Sequence, residues 1–191
     1  MLALFLSEAV SPAFVNLMCG GALAERMKRT PSYVPFDKTE RRVLLLNKVI
    51  LVLLFAYSVF LPLQSGTGWL YAGLAMFSVG VIIATMTSMA WATTPLNEPV
   101  TRGPHHYSRH PMYASLFLRF LGVGIASASW LFILLSILSM VLMHILALPE
   151  ERFCFENYGD VYRHYMDKTP RWVGISKSKG KSSTIPFAIT V

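Results

Sequence analysis

Charge is scarce in this 191-residue chain: only 14% of residues are Asp, Glu, Lys or Arg, against 54% hydrophobic. That balance excludes an ordinary soluble surface and leaves material for one membrane domain. Cysteine is scarcer still. Cys19 lies in the first apolar run and Cys154 in the C-terminal third, with no CxxC and no partners at zinc spacing, which argues against a disulfide framework or a structural metal. No basic region precedes the first apolar stretch, which carries Glu8 and Pro12, so it reads as a retained span and not a cleaved signal peptide. No internal repeat is found. The net charge of +7 comes from 17 Lys and Arg lying between apolar runs. That pattern points to orientation in a membrane and contact with anionic lipid heads, not to nucleic acid.

What is present is a series of apolar runs. Residues 2–24, 43–63, 69–90, 113–129 and 130–148 each approach the roughly 20 residues needed to cross a bilayer as a helix. Residues 25–42 form a basic loop with Pro31 and Pro35. Asn47 and Lys48 lie near the start of the second run, where the lysine can snorkel back to the head groups, and Trp69, Tyr71 and Trp91 are expected in aromatic belts. Gly73, Ser78, Gly80, Ala84, Thr85 and Ser88 allow close helix approach. Residues 93–112 contain Pro95, Pro99 and Pro104 and cannot be one long helix. Pro149 is expected to break or kink the last helix. Gly159 should stop its continuation, with Asp160 capping a further turn or two. The expectation is an all-α integral membrane protein of about five transmembrane helices, with a C-terminal helical hairpin and short cytosolic helices. Residues 1–175 make one domain, its core about 69–173, and 176–191 a basic, disordered tail.

The turns at 64–68 and 126–129 lack Lys and Arg, whereas the other loops hold nearly all of them. The positive-inside rule therefore places the N-terminus outside and both polar clusters, 103–113 and Glu150-Glu151, on the cytosolic face. A helical hairpin returns the two clusters to one boundary.

Gly103, Pro104, Tyr107, Arg109, His110, Pro111 and Tyr113, then an apolar hairpin, Glu150-Glu151, and Tyr158-Gly159-Asp160 with Tyr162, Tyr165 and Arg171-Trp172 follow one ordered pattern. In that pattern the chain resembles the isoprenylcysteine carboxyl methyltransferase and phospholipid N-methyltransferase superfamily of integral-membrane enzymes. The resemblance implies an S-adenosylmethionine site at the cytosolic membrane face, with a lipid-accessible path for the methyl acceptor. Carried over by position, Val100, Gly103, Tyr107, Arg109, His110, Pro111, Tyr113, Glu150 and Glu151 become cofactor-site residues, with 100–103 a strand-like wall. Where the prenylcysteine enzymes open that wall with H-x-L-V, this chain has Asn97-Glu98-Pro99-Val100.

The residue chemistry is consistent with this. A sulfonium cofactor also carries an ammonium and a carboxylate, so its pocket needs carboxylates and a cation; Glu150 or Glu151 and Arg109 or His110 fit. Methyl transfer is a displacement that needs alignment, and positioning contributes on the order of 7 to 11 kcal/mol. His105 and His106 read as head-group anchors, Tyr162 and Tyr165 as packing or interfacial residues. No histidine or glutamate spacing demands a metal.

Arg119 falls inside the fourth span, where an arginine is costly unless paired or functional. The prenylcysteine enzymes hold the acceptor carboxylate with an arginine shortly before their glutamates. Here Ile145, Leu146, Ala147 and Leu148 stand there. Arg119 is therefore expected to act catalytically with Glu150 and Glu151, binding an anionic acceptor group or an internal carboxylate; a snorkelling or glutamate-paired structural arginine is the other reading. The acceptor is expected to be a lipophilic small molecule or lipid-modified group, its accepting atom O, N or S, while the sequence does not define the oligomeric state. Two other functions remain open: a non-catalytic membrane scaffold, and an NADPH-dependent membrane reductase.

Overall fold

The computed structural model describes residues 34–95, 97–172 and 174. The expected first span (2–24), Glu8, Cys19 and the basic tail lie outside the described residues.

Among the described residues four α-helices carry the fold: α1 Lys38–Phe60, α2 Gly68–Thr93, α3 Pro111–Ala126 and α4 Trp130–Lys168, with a 3₁₀ turn at Gly103–His106 between α2 and α3. There are no strands among the described residues, so 100–103 is extended connection and not a sheet wall. Helices α1, α2 and α4 are long and apolar enough to cross a membrane; α3 is a shorter apolar helix. The second to fifth expected spans thus correspond to α1–α4, and the all-α membrane class holds.

The ends follow local chemistry. Helix α1 starts inside the expected basic loop because Asp37 and Glu40 form a capping box, the Asp37 side chain taking the Lys38 N–H and Glu40 the Asp37 N–H (2.9 Å). Helix α3 starts with Pro111 at its first position, where a missing N–H costs nothing. Pro149 does not break α4 as expected; the only non-helical backbone inside that helix is at Gly159 (φ 53°, ψ −132°), the expected stop. Helix α4 is thus two helical stretches meeting at Gly159, and the first, 130–158, is about 43 Å long at ~1.5 Å per residue, more than the roughly 30 Å of hydrocarbon in a bilayer.

Packing explains which faces meet. On α2, Gly73 and Gly80 lie one heptad apart: a Cβ on Gly73 would fall 2.4 Å from the Gly122 carbonyl oxygen, and one on Gly80 2.7 Å from Arg119 Cγ. On α3, a Cβ on Gly122 would meet the Gly73 oxygen at 2.6 Å. The two backbones touch, as small residues in a membrane allow. Ser78, expected in that seam, is exposed instead. Ile50, Leu54, Phe120, Val123, Phe132 and Leu142 form the apolar centre. Asn47 is buried and accepts from Ser139 Oγ (2.9 Å), fixing α1 against α4.

Candidate functional site

On one side of the bundle the start of α3 and the middle of α4 meet in a polar cluster. Helix α3 presents His110 as its N-terminal cap and Tyr113 in its first turn, while α4 presents Glu150 and Glu151. The hairpin through 127–129 returns the two elements to one level. His110 Nε2 lies 3.2 Å from Glu151 Oε1 and its Nδ1 3.5 Å from Glu150 Oε2. Tyr113 stacks on His110 (5.5 Å between centroids, 10°) and donates its hydroxyl to Glu150.

The chain then returns across this cluster. After Lys168, the segment from Thr169 to Trp172 is tied down by Arg109 N donating to Pro170 O (3.0 Å) and Ser108 Oγ donating to Arg171 O (3.1 Å). Arg171 grips Glu151 with two hydrogen bonds, 2.9 and 2.7 Å. Tyr165 donates to the His105 carbonyl (2.6 Å), so its expected packing role includes holding the 3₁₀ turn. Glu40 pairs with Arg152 (2.9 Å), bringing the start of α1, with Lys38, Arg41 and Arg42, to the same side.

The two glutamates differ. Glu151 is only 5% exposed and is saturated by Arg171, Arg109 and His110, whereas the side chain of Glu150 is 33% exposed. Arg109 Nη1 is 3.1 Å from Glu151 Oε1, close enough for the charges to attract but off the hydrogen-bond direction. Both its Nε and Nη1 are buried without a hydrogen-bond acceptor among the described residues.

Burial lowers the basicity of His110, but its hydrogen bonds to Glu150 and Glu151 and their charges outweigh it and raise its pKa above the usual value. An imidazolium uses both ring nitrogens as donors, which matches a carboxylate at each one. His105 is shifted the opposite way, to about 4, by burial and then by the charge of His110. The Glu151 hydrogen bonds raise the Arg171 pKa. With His110 charged, three cations face two carboxylates.

Of the residues singled out by sequence, Arg109, His110, Pro111, Tyr113, Glu150 and Glu151 come together. Val100, Gly103 and Tyr107 are outside these contacts: Gly103 faces Ala90 and Met86 of α2, and Tyr107 is 64% exposed. Arg119 is buried at 4%, its stem against Gly80 and its Nε donating to Ser115 O (3.4 Å). Arg171 and Trp172, which close the ordered pattern seen in the sequence, enter the cluster through a return of the chain, together with Ser108, which no local spacing announces. His144, which accepts from Trp172, had no sequence signal beyond being a histidine in an apolar run.

The family model for phospholipid methyltransferases matches residues 63–161, just over half of the chain. Among curated proteins nothing matches. The matched span runs from the turn after α1 to just past Gly159, so it contains both His110 and the Glu150-Glu151 pair.

Proposed function

Because the chain belongs to the phospholipid methyltransferase family of membrane methyltransferases, we propose that it uses S-adenosylmethionine to methylate a lipophilic or membrane-embedded acceptor at the cytosolic face. The observation that carries this reading is Arg109, with buried donors unused beside a carboxylate pair at the end of an apolar bundle.

The residues fit such a donor. S-adenosylmethionine, when bound, supplies an electrophilic methyl group on a sulfonium centre. Arg109 Nε and Nη1 would take its carboxylate, and Glu150, the more exposed of the two acids, would face its positive groups. Glu151 positions the others: it holds Arg109, His110 and Arg171 together and has no free side for a ligand. Tyr113 orients Glu150 through its hydroxyl. Arg171 and Trp172 cover the cluster and exclude water, which strengthens each of these interactions. In this reading the apolar bundle below delivers an acceptor that partitions into lipid, and the positive charge gathered at this end, with the positive-inside rule, supports a cytosolic site.

Arg119, on α3, is buried with its stem packed against Gly80 of α2; its expected role at an anionic acceptor group is tested by Arg119→Leu, which would keep full methyl transfer if that role is absent.

Calorimetry on detergent-purified protein tests the donor site. Wild type should bind S-adenosylmethionine and gain thermal stability from it. Arg109→Met should weaken binding about 10- to 100-fold, the size of a lost hydrogen bond to a charged group at roughly 1.5–3 kcal/mol. A wild type stabilised by NADPH alone, or by neither compound, would overturn the reading.

A further inference from the structure

His144 is an exposed polar ring on the apolar part of α4, where Val141, Ile145 and Leu148 are its exposed neighbours. It stands seven residues before Glu151, hence on the same face of the helix and about 10 Å along the axis towards the hydrocarbon. A polar side chain kept at such a position marks a function.

Its partner fixes its chemistry. Trp172 Nε1 donates to His144 Nδ1 (2.9 Å), and the two rings stack at 5.8 Å and 28°. An indole N–H can only donate, so Nδ1 must present its lone pair and the neutral imidazole carries its proton on Nε2. In this arrangement neither nitrogen is free to act as a base. What remains is a single, aimed N–H donor. The same Trp172 ring lies 6.1 Å from His110, which stacks on Tyr113, so a row of aromatic rings leads from exposed His144 to the buried ion cluster.

We propose that His144, oriented by Trp172, binds an anionic head-group oxygen of an apolar-chain molecule and so positions the methyl acceptor. The assignment rests on the methyltransferase reading for its purpose but not for its chemistry, which is the donation of Nε2–H to a carboxylate or phosphate oxygen. The four residues before Pro149 carry no cation, and His144 stands just before them.

The test uses the full-length protein in neutral detergent, with oleate and oleyl phosphate as anionic probes and oleylamine as the cationic control, followed by calorimetry. Wild type should bind an anionic probe more tightly than oleylamine. His144→Phe should weaken that binding at least tenfold, and His144→Gln, whose amide N–H can replace Nε2–H, should recover most of it. Trp172→Phe should give an intermediate loss and remains informative if His144→Phe does not fold. Unchanged anion binding in His144→Phe and Trp172→Phe, or oleylamine bound as tightly as the anions, would overturn the proposal. S-adenosylmethionine binding is measured in parallel: His144→Phe should retain it. A wild type that fails to bind the donor removes the methyltransferase reading, while the oleate comparison still decides the His144 site.

Discussion

The two ends of this bundle are closed by different chemistry. At the turn end, Gln64 N donates to Ala126 O (3.1 Å), Ser127, Ala128 and Ser129 donate back to α3 carbonyls, and Tyr57 meets Ser129 through hydroxyls (3.3 Å). No charged residue takes part. At the opposite end, closure depends on ionic side chains far apart in sequence: His110 with Glu151 across 41 residues, Arg152 with Glu40 across 112. Neutral hydrogen bonds suffice to hold two helical hairpins. Burying several charges together is a costly way to do the same task, which is why the ionic end reads as a site and not as a fastening.

Glu151→Gln breaks this comparison most severely. It removes the one acid that Arg109, His110 and Arg171 share, leaving buried cations uncompensated, and cutting one partner from a buried ionic pair costs about 3–5 kcal/mol. Thermal unfolding in detergent should show a fall of that order together with loss of S-adenosylmethionine binding. A variant that loses stability but binds the donor normally would reduce the ionic end to a fastening after all.

A smaller effect sharpens the contrast by pH. The folded-state pKa of His110 is raised by Glu150 and Glu151, so its contribution to stability is fully present below the unfolded value near 6.5 and is lost as pH rises through the higher folded value. Wild-type stability should therefore decline with increasing pH from about 6.5 upward, and His110→Asn should flatten that slope. Among the described residues the turn end contributes no histidine, carboxylate, lysine or arginine to these contacts and should add nothing to that slope. An unchanged slope in His110→Asn would show that His110 is not charged in the folded protein.

How far the sequence revealed these ends differs between them for physical reasons. Charge-free turns and apolar run lengths are local signals, so α2, α3, α4 and the return of 103–113 to Glu150-Glu151 were legible. The Asp37–Glu40 capping box was equally local, yet the basic loop around it was read for topology alone. Asn47 with Ser139 and Arg171 with Glu151 were not legible, since both depend on helix rotation and on a chain return that no periodicity encodes. Pro149 was expected to break or kink α4, and the helix runs through it unbroken. Proline removes one N–H donor and crowds the preceding turn, but surrounding packing can carry that cost, and Pro149 is almost fully buried.

The smallest expected effect lies at the turn end. Ala128 adopts φ 51°, the left-handed region, between Ser127 and Ser129, where it lets Ser129 N reach Gly124 O (2.9 Å). A residue with a Cβ pays roughly 1–2 kcal/mol for that conformation, which glycine adopts freely. Glycine also adds conformational freedom to the unfolded chain, at a cost of about 0.4–1 kcal/mol, so the net change for Ala128→Gly is a gain of roughly 0–1.6 kcal/mol. Differential scanning should show an equal or slightly raised unfolding temperature, with donor binding unaltered. A loss of donor binding in Ala128→Gly would mean that the two ends are coupled through the α3–α4 hairpin, and the division between a neutral fastening and an ionic site would have to be redrawn around the hairpin as one unit.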